Sequence, residues 1–166
     1  MAQHNNGLYF LKDKHAQIYN TVYVEPEKSY SNPIPYYVAV NPAPLWCYTR
    51  QLSQDQLFAA HAYWNDETRF FVFNFRDDVQ IYSHVYYKGD LYEVTRVDRT
   101  DDYNGETFVY VKNVKGAKSD IERLRPYGWK PEDEGLKPAY DENGNRIKYT
   151  WTHRNRSSTA AQRYRL

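Results

Sequence analysis

The chain has 166 residues, a formal net charge of +1 and a mean hydropathy of −0.92, which gives one domain with extensions and room for one modest core. No apolar run is long enough to span a bilayer, and the polar start MAQHNNG lacks the basic and apolar regions of a signal peptide, so a soluble protein made and kept in a cytoplasm is expected. The charge is uneven: from Lys115 onward there are 12 Lys and Arg against 7 Asp and Glu, so residues 1–114 are net acidic.

In chain order, Ile18 to Val24 alternates enough for a strand, after which EPEKSYSNPIP breaks regular structure with three prolines. Residues 1–35 therefore read as an N-terminal arm outside the core. Tyr36 to Val40 and Leu45 to Gln51 are two short strands around the turn NPAP. Next, Ser53 and Gln56 match a capping box ahead of DQLFAAHA, and Tyr63 and Trp64 follow beside turn formers, as an aromatic pair available for an assembly contact. Thr68 to Phe75 is the most strand-like run, closed by Arg76, Asp77 and Asp78. Val85 to Tyr87, the turn Lys88-Gly89-Asp90, Leu91 to Val97, the turn TDDYNG and Glu106 to Val114 complete the centre. The pattern predicts a mainly β fold: a small antiparallel β-barrel over 36–114, with a short helix or loop insertion and extended N- and C-terminal arms.

Residues 115–166 read as a C-terminal extension. Leu124, Tyr127 and Trp129 pin an arm, Asn143-Gly144 between alternating residues signals a hairpin over 140–149, and a basic tail follows. The tail, with Arg154, Arg156, Arg163 and Arg165, suits a phosphate backbone, an acidic protein surface, or simply water. Eighteen Tyr, 7 Phe and 4 Trp make 17% of the chain, consistent with strand propensity and with a surface built for contact.

The residues offer little chemistry. His4, His15, His61, His84 and His153 have no spacing that presents two imidazoles to a metal, and Cys47 has no partner cysteine and reads as a small buried hydrophobe. Asp77 and Asp78 are sequence neighbours that an extended chain points to opposite faces, which makes a poor catalytic pair. Neither catalysis, a metal nor a cofactor is expected.

The ordered combination of QLSQDQLFAAHA, TRFFVFNFRDD and VYYKGDLYEV resembles the head-completion (stopper, head-closure or head-tail joining) proteins of long-tailed bacteriophages, over roughly 36–114. The resemblance implies a homo-oligomeric ring, usually of twelve copies, below the portal and adaptor rings, keeping packaged double-stranded DNA in the head and offering a platform to tail terminator or tail tube proteins. It implies a virion location, with host cytoplasm during assembly, non-specific DNA passage through the lumen and no membrane. It also implies that Ser53, Gln54, Asp55, Gln56, Leu57, Phe58, His61, Tyr63, Trp64 and Asn65 form the channel-closing and subunit-contact segment. Two other classes fit the residues: a small β-barrel that binds single-stranded nucleic acid on its aromatics, and another neck or tail-completion protein.

Overall fold

The computed structural model describes residues 10–28, 31–55, 67–100, 105–114 and 118–147. Their elements are β1 (Lys14–Val24), β2 (Ile34–Ala39), β3 (Leu45–Gln51), β4 (Arg69–Asn74), β5 (His84–Tyr87), β6 (Asp90–Arg99), β7 (Glu106–Asn113), a one-turn helix α1 (Lys118–Ile121) and β8 (Leu124–Arg125), followed by a 3-10 turn over Pro131–Glu134. The fold is mainly β, as the alternation of the sequence predicts.

Six strands close an antiparallel barrel in the circular order β1-β3-β4-β7-β6-β5. β1 makes closure possible by pairing twice: Lys14 to Ala16 lie against Cys47 to Leu45 of β3, and Gln17 to Tyr19 lie against Tyr86 to His84 of β5. Closure leaves these staves no unpaired edge. The barrel is filled by side chains at alternate positions, among them Ile18, Cys47, Phe71, Phe73, Val85, Val94, Val109 and Val111. β2 lies beside β1 and pairs in parallel with β8 through Tyr37↔Leu124 and Val38↔Arg125.

The sequence FFVF in β4 does not alternate, because both of its faces are covered. Phe71 and Phe73 fill the barrel, while Phe70 and Val72 join Leu52 in a second cluster on the outside of the wall, with Phe10, Tyr48, Phe108 and Tyr110 packed against it. Phe10 stands over this outer layer, with ring centres 5.1 Å from Tyr48 and 5.5 Å from Phe108.

The reading of residues 1–35 as an arm outside the core does not hold for β1, whose Ala16 and Ile18 are barrel core. The compact units also differ from the three regions drawn from the sequence. One unit joins residues 1–21 to 36–129, and the other joins 22–35 to 130–166. In the second unit, Val24 bridges Pro138, the Ala139 amide donates to the Tyr23 carbonyl at 2.9 Å, and Arg146 forks onto Glu25 at 2.9 and 3.0 Å. The hairpin expected over 140–149 is, as far as Ile147, a turn with one bridge, Tyr140↔Arg146. Asp141 organises it by accepting from the Asn143 and Asn145 amides through Oδ1, and Gly144 supplies the left-handed backbone, φ +82°.

Candidate interaction surfaces

The segment singled out from the sequence is the insertion between β3 and β4. Ser53, Gln54 and Asp55 are exposed, and Gln54 and Asp55 carry the helical backbone that the capping signal predicts. Gln56, Leu57, Phe58, His61, Tyr63, Trp64 and Asn65 lie outside the described residues, as do Arg154, Arg156, Arg163 and Arg165.

Both roots of the insertion are fixed. The Leu52 amide donates to the Thr68 carbonyl at 3.0 Å and the Thr68 amide to the Val111 carbonyl at 2.9 Å, so the ladder Gln51↔Arg69 continues one step past the strand ends. The Leu52 side chain is buried in the outer cluster. On the other side Glu67 is 4% exposed, and its carboxylate accepts from the Thr95 hydroxyl at 3.1 Å and from Arg96 Nη2 at 3.5 Å. A β-bulge places Thr95 there: β6 pairs Val94 with Val111 and Arg96 with Tyr110, leaving Thr95 as the extra residue. The Arg96 guanidinium also stands 3.7 Å from the centre of the Tyr110 ring. A carboxylate this buried is tolerable only with such partners. No sequence pattern marks Glu67, because its partners come from a strand almost thirty residues later.

The loop between β4 and β5 is a second surface, also missed from the sequence. Phe75, Ile81 and Tyr82 are 49%, 54% and 70% exposed, although the loop backbone is held from several strands. Arg99 donates to the Arg76 carbonyl at 2.6 Å and to the Val79 carbonyl, and Asn20 Nδ2 donates to the Asp78 carbonyl at 3.2 Å. Ser83 donates to Asn20 Oδ1 at 2.6 Å. Arg76 and Asp78 pair with each other at 2.6 Å, so the Asp78 carboxylate serves the loop. Tyr82 takes a left-handed backbone, φ +74°, a conformation that costs a bulky residue about 1–2 kcal/mol.

Elsewhere in the barrel unit Tyr36 stacks on Trp129, 5.4 Å between centres and 14° between planes, with the Arg125 guanidinium 5.1 and 5.8 Å from the two rings. Among the described residues no three His, Cys, Asp or Glu come together as a metal site, and no helix is long and apolar enough to cross a membrane.

No family model matches the chain, and no curated protein matches it. Among solved structures it is similar to the solution structure of protein SF1141 from Shigella flexneri 2a, with a TM-score of 0.51 at 10% identity, over 66% of this chain and 98% of that one. At that identity the likeness is one of fold.

Proposed function

We propose that this chain is a head-completion protein of a long-tailed phage: a structural subunit that forms a ring below the portal and adaptor, closes the DNA channel after packaging and offers the tail its platform. The observation that carries this reading is the β3–β4 insertion rooted on a closed barrel. A segment that must repack between a free and an assembled state needs a base that does not move with it. The hydrogen bonds of Leu52 and Thr68 and the buried Glu67 supply such a base. The fixed, exposed Phe75, Ile81 and Tyr82 give a further apolar surface for a neighbour. In this reading the net acidic residues 1–114 let DNA slide, and the basic tail grips an acidic adaptor or tail surface.

The test is to inactivate the gene in its parent phage and image the lysate by electron microscopy. Portal-bearing heads without DNA beside complete, unattached tails are expected; intact tailed particles would refute the proposal.

The stacked Tyr36 and Trp129 under Arg125 favour the second reading, single-stranded nucleic-acid binding, since such a site needs aromatic faces and a cation. The two rings face each other, so one face of each is already taken. Oligonucleotide retention that falls steeply with salt and is lost in Trp129→Ala would favour this second reading over the first.

A further inference from the structure

The barrel mouth on the side of the β3–β4 insertion concentrates positive charge. Alternation along the staves points Thr49 and Gln51 of β3, Arg69 of β4 and Asn113 of β7 to the same side as the core residues Cys47, Phe71 and Val111. A cleft of about 270 Å³ opens there, lined by Gln51, Leu52, Thr68, Arg69, Tyr92 and Asn113. Arg69 donates through Nη1 to the Thr49 hydroxyl at 3.0 Å, and its guanidinium carbon stands 5.3 Å from the centre of the Tyr87 ring. Lys88 places its ammonium 5.5 Å from the same centre.

Two cations thus share one aromatic ring, and among the described residues neither has a carboxylate partner. Lys14, the inward neighbour on β1, differs in being matched by Asp13 at 2.9 Å. The ring quadrupole attracts each cation, and an anion beside Arg69 would supply the countercharge that no carboxylate among the described residues gives it. The lining determines what kind of anion fits. The guanidinium fork matches a planar carboxylate, the Gln51 and Asn113 amides offer hydrogen bonds, and Tyr92 forms an apolar wall. A cleft of this size takes one or two side chains, whereas the convex backbone of a duplex cannot enter it.

We propose that the barrel mouth is a docking pocket for an acidic segment of a partner protein, in which Arg69 takes an Asp or Glu carboxylate and Tyr92 takes an adjacent apolar side chain. The pocket borders the roots of the insertion at Leu52 and Thr68. The proposal goes beyond the ring reading and would stand without it.

The test uses the full chain, labelled with nitrogen-15, and the blocked peptide acetyl-Phe-Glu-Leu-Glu-amide as probe. Saturable shifts are expected at the amides of Thr68, Arg69, Tyr92 and Asn113, with at least about tenfold weaker binding for the peptide carrying Gln in place of Glu, and for Arg69→Met. The comparison of the two peptides on the unaltered protein decides the matter if Arg69→Met does not fold. No binding, equal binding of the Gln peptide, or unchanged affinity in a folded Arg69→Met would overturn the proposal. So would inorganic phosphate alone giving the same shifts at the same concentration, or a short DNA duplex displacing the peptide.

Discussion

His84 is enclosed between elements that differ in charge. Its ring lies 4.4 Å from the centre of Tyr37 of β2, its Nε2 is 3.9 Å from a Glu93 oxygen of β6, and the Tyr37 hydroxyl donates to Asp120 of α1 at 3.2 Å. Burial pushes the His84 pKa below its ordinary value of 6.5, against the opposing pull of Glu93, Asp120 and the Tyr82 backbone. In the window from 6.5 down to the folded pKa, the unfolded chain binds more protons than the folded one, so stability falls with pH and is regained above 6.5. His84→Gln should therefore show a flatter loss of stability between pH 7 and pH 5 than the natural chain, measured as urea midpoints. Equal slopes would mean that Glu93 and Asp120 compensate for the burial. Cys47 illustrates what the sequence did reveal at this scale: a lone cysteine among apolar neighbours is indeed buried, and burial pushes its thiol up to about 12. Glu67 was not legible, since nothing in the sequence near Asp66 or Thr68 tells of Thr95 and Arg96.

At the scale of elements, the strands rich in branched and aromatic residues are legible in the sequence. Leu45–Gln51 holds at both ends, and Thr68 to Phe75 shortens by one residue at each end to β4. The alternation begins only at Ile18, since KHAQ is polar apart from one alanine, yet Ala16 is a core position whose small side chain carries a weak signal. The role of β1 as a stave depends on pairing with Leu45–Cys47 and with His84–Tyr86, which no local pattern encodes. In the β4–β5 loop the sequence signals only the end of a strand. There Tyr82 combines left-handed backbone with a side chain 70% exposed, so the ring gains little from burial to offset its strain. Tyr82→Asn should raise stability by about 0.5–1 kcal/mol in urea unfolding, since asparagine tolerates this backbone better. A loss of stability instead would show that the tyrosine ring is held by contacts stronger than the strain.

For the molecule as a whole, the barrel was legible in the strand pattern, while its closure and the division into two units were not. Closure depends on β1 meeting β3 and β5 from the middle of the sequence, and the second unit on residues 22–35 meeting residues beyond 130. Removing residues 1–24 should abolish the cooperative unfolding transition and produce aggregation, because β3 and β5 would each be left with a bare edge and Ile18 would be missing from the core. A truncated chain that stays monomeric and unfolds cooperatively would show that five staves suffice. The double pairing of β1 also bears on how the chain is made. The first stave to leave the ribosome can find its β3 partner early, but it must wait for β5 before the cylinder can shut, and the ring order then needs β7 between β4 and β6. Closure is therefore a late event of high contact order, and a nascent chain paused before Asn113 carries an open, sticky sheet that has to be kept from its neighbours until synthesis resumes.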